Sequence, residues 1–476
     1  MKKIVGNIAS MLTNDVITRA TTFILYALIA RFLGMRQFGQ MSLALTILNT
    51  FQMIAPAGLK LLITREVSRN KAETDKYLIN GSIVALITSV ITIILLFAII
   101  FAIHYDPDTA LIILLVSLGL LPFSLSVICE AIFQAWNQMQ LIALANIPRN
   151  IIIVILSVLI LSQGYDIFFL GILLPILFLL MLFIEWGLMF RHITRPSLRI
   201  DPKFSVSMLK SSSTFLGFQG IIAATGSFIY ILLSKVGNES EVGLYNAATQ
   251  LMTPILLIYQ SVVLSVFPMM CQKFDAGVQE LKQVSDRLLE FLLTIGVPAA
   301  IGLYFLAEEA LMLLYGNHEF IQAAGIIRIL AISLVLRAFS TVIGRVLLAS
   351  RREKAVLRIV IINTFLTILS GIVLIGMYGL TGAVITSLIS TIVDFAQHCL
   401  EASKLFSNFI PWRKLWKTAI ASICIVAFLN IKTDTGVWES LFMSIALYSC
   451  VWAALSIASA GGIANLKARY LYFWNE

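Results

Sequence analysis

The chain has few charged residues. Asp, Glu, Lys and Arg make up 12% of its 476 residues, hydrophobic residues make up 59%, and the mean hydropathy is +0.94. Soluble domains have roughly 25% charged residues, so a soluble globular protein is excluded. The apolar runs are about 20 residues long, which is the length an α-helix needs to cross a hydrocarbon core of roughly 30 Å. The composition therefore predicts an all-α integral membrane protein.

Residues that support catalysis or metal binding are also scarce. The four histidines are far apart in the sequence, and the five cysteines are scattered with no CxxC or other metal-ligand spacing. The sequence contains no Walker-type nucleotide loop and no GxSxG motif. We therefore expect no enzyme activity, no metal and no cofactor, and we expect any work to be driven by an H⁺ or Na⁺ gradient or by downstream consumption of the product.

Apolar runs broken by charge, Gly, Pro and Asn predict fourteen membrane spans. The predicted spans are 8–33, 40–63, 81–103, 110–133, 141–161, 167–190, 211–234, 243–268, 287–307, 323–349, 357–376, 380–403, 418–431 and 439–460.

The basic residues outside these spans are distributed very unevenly. Arg36, Lys235 and Lys432 fall on one side of the membrane, whereas the other 24 fall on the opposite side. Because cytoplasmic loops are enriched in Lys and Arg, both termini are predicted to be cytoplasmic. The net charge of +9 then reflects topology and contact with anionic lipid headgroups, and no nucleic-acid partner is needed to explain it.

The sequence carries a weak internal repeat. Ala30-Arg-Phe-Leu-Gly34, running on to Phe38-Gly39, is echoed by Leu233 to Gly237, running on to Val242-Gly243. Further along, Asn150 and Tyr165 match Asn363 and Tyr378, each 213 residues later. Transporters are often built from such repeats.

The repeat predicts a two-lobed fold. Two lobes of six spans each would share one orientation, with a pseudo-twofold axis along the membrane normal and a central cleft. The predicted divisions are an N-lobe (1–190), a basic cytoplasmic linker (191–210), a C-lobe (211–403), and two C-terminal spans with a cytoplasmic tail (404–476).

Several short motifs occur in a characteristic order. They are Gly6-Asn7, Ala30-Arg31-Phe-Leu-Gly34, Phe38-Gly39, Gly58-Leu59 ahead of Arg65-Glu66-Val-Ser-Arg69, Phe133-Gln134-Ala135, and Tyr378-Gly-Leu-Thr-Gly382-Ala. In these motifs the chain resembles the polysaccharide and lipid-linked oligosaccharide flippases (Wzx-like) of the superfamily that also contains the multidrug exporters.

The resemblance implies a MATE/MurJ-like fold and a transport function. It implies a carrier in the bacterial inner (cytoplasmic) membrane that moves undecaprenyl-diphosphate-linked oligosaccharide units from the cytoplasmic to the outer leaflet by alternating access. Such units feed the biosynthesis of surface polysaccharide, namely the O-antigen of lipopolysaccharide, capsule or exopolysaccharide. A polysaccharide polymerase and glycosyltransferases of the same pathway are the implied partners.

A diphosphate needs a cationic path through the membrane, and seven cations fall within predicted spans. Arg19, Arg149 and Arg337 lie deepest, where an arginine is costly unless it faces a cavity or a partner. Arg31, Lys60, Arg328 and Arg345 lie within about two turns of a span end and can extend to the interface. Arginine suits a diphosphate because its planar fork can bind two oxygens at once.

The first span carries a polar stripe of Asn7, Asn14, Thr18 and Thr22. Its three- and four-residue spacing predicts one face turned to a polar surface. The predicted substrate-binding set is Arg19, Arg149, Arg337, Asn14, Thr18, Lys60 and Arg31. Asp15 precedes Arg19 by four residues, so it either forms an intrahelical ion pair or exchanges protons.

The twelfth span places Asp394, His398 and Glu401 on one helical face. Three interpretations stay open, namely a metal site, a proton relay, and packing against a basic partner. Asp15 and Asp394 are the predicted proton-coupling residues.

Two related functions compete with the oligosaccharide flippase. A cation-coupled multidrug antiporter of the MATE type should have an acidic cavity, and the deep arginines argue against it. A MurJ-like lipid II flippase shares a cationic cavity and fourteen spans, so composition does not exclude it. In that case the last two spans would form a lipid groove.

Overall fold

The computed structural model describes residues 2–194, 199–406, 412–431 and 437–460. These ranges are almost entirely helical and contain no β-strand. Part of the predicted linker (195–198), the side chain of Asn7 and the predicted cytoplasmic tail (461–476) lie outside the described residues.

The helices form two compact units, Met1–Leu244 and Tyr245–Glu476. The first unit contains α1 (Lys2–Ile54), α2 (Leu59–Arg69), α3 (Thr74–Ile103), α4 (Pro107–Ser117), α5 (Leu120–Ala135), α6 (Met139–Ser162), α7 (Ile167–His192) and α8 (Pro202–Val236). The later helices are α9 (Glu239–Ala276), α10 (Val278–Phe305), α11 (Ala307–Tyr315), α12 (Ala324–Ala349), α13 (Glu353–Ala402), α14 (Trp412–Ile431) and α15 (Val437–Ala460).

Two of the helices each contain two predicted spans. α1 reverses at Gly34 (φ 77°) and α13 at Gly379 (φ 53°), and both glycines occupy the left-handed region that glycine tolerates best. Ten apolar stretches of the described chain are long enough to cross a membrane, and two of these each contain two spans. Shorter apolar helices at Thr225–Val236 and Leu415–Ile431 supply the other two, so the predicted fourteen spans are confirmed.

The second and fourth predicted spans are interrupted, although each was predicted as one helix. In the second span, α1 ends before Pro56 and α2 begins after Gly58, and the Thr88 hydroxyl donates a 2.7 Å hydrogen bond to the freed Ala55 carbonyl. The fourth span breaks at Gly119, where an added Cβ would lie 2.9 Å from the Phe178 ring. Irregular backbone at membrane depth is tolerated where protein buries it, as it does here.

Helix extends into two segments that the predicted spans leave out. α7 continues to His192 and α8 begins at Pro202, so helix covers both ends of the predicted linker 191–210. The Asp201 side chain accepts from the Phe204 amide at 3.0 Å, and proline at the first helical position reinforces this start. The segment 308–322, between the ninth and tenth predicted spans, is largely helical as well, formed by α11 and a 3₁₀ turn at His318–Ala323.

Matching turns in the two units support the repeat. Asn137 between α5 and α6 (φ 53°) corresponds to Arg351 between α12 and α13 (φ 59°), 214 residues later. In both turns the next amide bonds a carbonyl five residues back at 2.9 Å, Gln138 to Phe133 and Arg352 to Leu347. The same helix-ending turn therefore recurs at equivalent positions.

The glycines of the opening repeat touch one another. A Cβ on Gly39 would overlap the Glu239 carbonyl, and a Cβ on Gly243 would lie 2.7 Å from the Met35 carbonyl and 3.3 Å from the Gly39 Cα. The first unit thus includes the beginning of α9. It also includes α8, which packs on α1, α2 and α3, although the predicted C-lobe begins at 211. The division into lobes stays a prediction.

Candidate functional site

A buried ion pair joins two helices of the first unit. Lys60 is the second residue of α2, immediately after the break in the second span, and its Nζ lies 2.6 Å from Glu130 Oε2 on α5. The other carboxylate oxygen of Glu130 accepts from Asn146 Nδ2 on α6 at 3.2 Å. The lysine side chain is 36% exposed and the glutamate 14%, so the lysine remains partly accessible.

Arg149 is held mainly by an aromatic ring. It follows Pro148 in α6, and its guanidinium lies 4.0 Å from the centre of the Phe178 ring on α7. Nη1 donates to Asn150 Oδ1 at 3.2 Å, whereas the buried Nε has no acceptor among the described residues. No carboxylate of the described chain lies within ion-pair distance, so Arg149 keeps donors for an anion.

The polar stripe of the first span contacts α6. Asn150 Nδ2 donates to Thr18 Oγ1 at 2.7 Å, and Thr22 donates back to the Thr18 carbonyl at 2.8 Å. The Asn14 side-chain oxygen is buried with no partner among the described residues. Thr18 and Arg149 are therefore linked through Asn150.

Asp15 and Arg19 are both exposed on α1. The ion pair predicted between them does not form, because no Asp15–Arg19 contact within 4.0 Å occurs in the part of the chain that the structure describes. Asp15 instead acts electrostatically on Lys60. A spacing of four residues permits such an ion pair, but two exposed side chains gain little free energy from forming it.

A second carboxyl, Glu185 on α7, is fully buried near the Lys60–Glu130 pair. The Ser126 hydroxyl on α5 interacts with this carboxyl, and no cation of the described chain lies within ion-pair distance of it. Glu130 and Lys60 act on it electrostatically. We call Lys60, Glu130, Arg149 and Glu185 the polar cluster.

The second unit contains the predicted residues Arg337 and Asp394. Arg337 is exposed on α12 and acts electrostatically on Asp394. His398 Nδ1 lies 2.8 Å from the Asp394 carbonyl and 3.4 Å from its Oδ1, both on α13. Gly344 on α12 leaves room for the imidazole, since an added Cβ would lie 3.3 Å from His398 Nε2. Asp394 and His398 form a polar pair beside α12.

Glu401 does not join that pair. Its buried carboxylate contacts Arg358, Lys404 at 2.7 Å and Arg352 at 3.9 Å. Glu401 therefore packs against basic residues, which is one of the three interpretations that the sequence left open for this helical face. The described residues contain no group of three or more His, Cys, Asp and Glu side chains placed to hold a metal ion.

The cations predicted to lie near span ends are found in different settings. Arg328 pairs with Glu308 at 2.8 Å and also donates to the Tyr304 carbonyl. The Arg345 guanidinium lies 5.7 Å from the Phe267 ring centre, and Arg31 is exposed.

Sequence reasoning missed the two acidic members of the polar cluster. Glu130 stands in the run Leu120–Ala135 and Glu185 in Ile167–His192, each as the single carboxylate of an apolar segment. An ionisable residue inside a span is a functional candidate by default, so this signal was present. The pairing of Lys60 with Glu130, 70 residues away, has no sequence signal.

The described residues belong to an all-α membrane protein with fourteen spans, and several of these spans contain charged side chains. The chain belongs to the family described as "Polysaccharide biosynthesis protein", whose profile matches residues 4–274, more than half of the sequence. A second profile, MatE, matches residues 216–373.

One curated relative is similar in sequence. The "Probable low-salt glycan biosynthesis flippase Agl15" of Haloferax volcanii is 23% identical over 235 residues, which cover 48% of this chain. The match spans about half the length of that relative.

Solved structures establish the fold. The lipid II flippase MurJ in an inward closed conformation has a TM-score of 0.78 and 17% identity, covering 94% of this chain and 98% of that one. An inward-facing MATE multidrug transporter has a TM-score of 0.65 and 13% identity, covering 81% and 95%. The predicted MATE/MurJ-like fold class is confirmed.

Proposed function

We propose that the protein is a flippase that moves an undecaprenyl-diphosphate-linked oligosaccharide from the cytoplasmic to the outer leaflet of a bacterial inner membrane, with both termini in the cytoplasm. The observation that carries the proposal is the pair of cations, Lys60 and Arg149, kept inside the spans of the first unit beside an interrupted helix. Cations at membrane depth are expensive, and an anionic substrate explains their presence.

The chemistry of the substrate fits these two residues. Moving a bare diphosphate into hydrocarbon would cost tens of kcal/mol in the idealised limit, so a carrier must replace water with fixed donors. Arg149 offers a guanidinium fork with an unused Nε donor. Lys60 is partly exposed and can exchange Glu130 for a phosphate oxygen.

The remaining predicted residues have secondary roles in this proposal. Asn14 and Thr18 would bind sugar hydroxyls, and Arg19, Arg31 and Arg337 would guide the anion along the path. Asp15 and Asp394 would carry coupling protons, with His398 positioned to exchange a proton with Asp394. Transport would draw on an H⁺ or Na⁺ gradient.

The relatives support a lipid-linked glycan as the substrate, since Agl15 is described as a glycan biosynthesis flippase and MurJ as a lipid II flippase. The proposed product would be consumed by a polysaccharide polymerase, after glycosyltransferases have built the repeat unit. The assembled polymer would be O-antigen, capsule or exopolysaccharide.

Lipid II is the second candidate substrate, because the fold matches MurJ over nearly the whole of both chains. A MATE-type antiporter is disfavoured, since the two cations of the polar cluster would repel a cationic drug.

The test is a leaflet-accessibility assay in reconstituted vesicles. A fluorescent undecaprenyl-diphosphate oligosaccharide, lipid II and a cationic dye are offered separately to vesicles with and without the protein. Protein-dependent translocation of the oligosaccharide lipid supports the proposal. Translocation of lipid II but not of the oligosaccharide lipid supports the second candidate substrate. Translocation rates equal to those of protein-free vesicles for both lipids contradict flippase activity.

A further inference from the structure

Glu185 has no role in the proposed path, although it is a fully buried carboxyl at the centre of the first unit. We propose that Glu185 is a proton-binding site, and that its proton sets the net charge which the polar cluster presents to an anion. The identity of that anion rests on the proposed function, but the proton site does not.

The surroundings of Glu185 favour a proton over any other occupant. An ionised carboxylate is unfavourable away from water unless it is paired with a cation, and the fully buried Glu185 has the Ser126 hydroxyl beside it but no cation within ion-pair distance in the described chain. The nearby ammonium of Lys60 is engaged with Glu130 at 2.6 Å. A metal ion would need further ligands, and the described residues contain no suitable group.

The helices around α7 define the charges that Glu185 faces. On α5 these are Glu130 and the buried thiol of Cys129, and on α2 the ammonium of Lys60. No titratable group of α4 or α6 is found to act on Glu185 within the described chain, whereas Arg149 of α6 interacts with Glu130.

A route for the proton follows from exposure. The exposed fraction of the side chain falls from 36% at Lys60 to 14% at Glu130, and Glu185 is fully buried. Glu130 pairs with the lysine, acts electrostatically on Glu185, and is intermediate in exposure between the two. A proton taken up by Glu130 can pass to Glu185 and leave Glu130 ionised and paired with Lys60.

The charge of the cluster depends on that proton. With Glu185 protonated, two cations face one carboxylate and the polar cluster carries one net positive charge. With Glu185 ionised, the charges balance. Proton binding and anion binding therefore strengthen each other, and by linkage the effect is reciprocal.

Infrared difference spectroscopy of the full chain in vesicles of ether-linked lipids, which have no ester carbonyl, tests the proton site directly. The carbonyl stretch of a protonated carboxylic acid is separate from the amide bands, and we expect it at neutral pH in the unmodified protein. Glu185→Gln should remove this band, whereas the matched variant Glu130→Gln should keep it. An unchanged band in Glu185→Gln would overturn the proton site and leave the flippase proposal standing.

If Glu185→Gln does not accumulate, ¹³C-glutamate labelling of the unmodified protein replaces it. The band should then shift with the label and survive Glu130→Gln. A band that does not shift belongs to an aspartate and overturns the assignment.

Binding of inorganic pyrophosphate tests the link to the anion. In the unmodified protein we expect binding to tighten by about fivefold or more as the pH falls from mildly alkaline to mildly acidic. In Glu185→Gln, which mimics the protonated form, binding should be tight and lose this dependence. The same pH dependence in both proteins would overturn the link.

Discussion

At the residue scale, the Lys60–Glu130 pair shows how the first unit keeps charge inside the membrane. Each partner satisfies the other, and Asn146 binds the remaining oxygen of Glu130. Removing one member of such a pair leaves an uncompensated buried charge, whereas removing both does not. The pair is therefore expected to stabilise the fold only while both partners are present.

This conditional role predicts the outcome of a double-mutant cycle. Lys60→Met and Glu130→Gln should each lower the free energy of unfolding by about 1–3 kcal/mol, because each leaves a partner unpaired. The double variant should lose less than the sum of the two, as measured by thermal unfolding in lipid or detergent. Strictly additive losses would show that the two side chains act independently.

The residues of the site were only partly predictable from the sequence. Arg149, Lys60 and Thr18 stood out as polar residues inside spans, and the structure links Thr18 to Arg149 through Asn150. Glu130 and Glu185 were missed although each is a lone carboxylate in an apolar run. The partner of Lys60 could not be predicted, since it depends on how α2 packs against α5.

At the element scale, glycine controls where helices reverse and where they approach closely. Gly379 allows α13 to reverse without a loop, and Gly382 just beyond it lies against the backbone of the preceding arm. A Cβ on Gly382 would overlap the Leu374 carbonyl, while a Cβ on Gly376 would meet no atom within 4 Å.

These two glycines of one helix form a matched pair for substitution. Gly382→Ala should lower the free energy of unfolding by about 1–3 kcal/mol, because backbone has to move to admit the methyl group. Gly376→Ala should be neutral or slightly stabilising, since alanine is the better helix former. Thermal unfolding of the two variants compares them, and equal midpoints would contradict the packing described for this reversal.

The contact between Gly39 and Gly243 gives a second prediction. Gly39→Ala should push α1 away from the first turn of α9, because the new Cβ overlaps the Glu239 carbonyl. The 3.0 Å hydrogen bond from Thr109 Oγ1 to Glu239 Oε1 reports on this contact.

Thiol cross-linking measures that separation. In a background without the five native cysteines, Thr109→Cys and Glu239→Cys should react efficiently with a short bifunctional thiol reagent. Adding Gly39→Ala should reduce the yield, whereas the control Gly187→Ala, whose Cβ meets open space, should not. An equal yield with both alanines would rule out the close approach.

Elements were predicted more completely than residues. All fourteen spans follow from apolar length, but the interruption of the second span beside Pro56 was not predicted. The break at Gly119 was not predicted, because it depends on the Phe178 ring of another helix. The start of α8 was missed because its basic residues suggested a linker, although Asp201-Pro202 is a helix-start signal.

At the scale of the whole molecule, the two units share residues at repeated sequence positions but differ in charge. Asn150 and Asn363 occupy equivalent positions, yet Arg149 corresponds to Ile362 in the second copy. Asn363 accepts from Ser390 within α13, whereas Asn150 donates to Thr18 on α1. The polar cluster is therefore a property of the first unit and not of the repeat.

In the proposed function, the polar cluster binds the charged head of a lipid-linked oligosaccharide during translocation. The most direct measurement is the initial rate of transfer between leaflets for vesicles containing equal amounts of the unmodified protein, Arg149→Gln or Arg328→Gln. Arg328 is the matched control, since it is an arginine within a span whose partner is Glu308. We predict that Arg149→Gln lowers the rate at least about tenfold and that Arg328→Gln leaves it within about twofold, by the free-energy scale of one charge-assisted hydrogen bond. An Arg149→Gln rate equal to that of the unmodified protein would contradict the account.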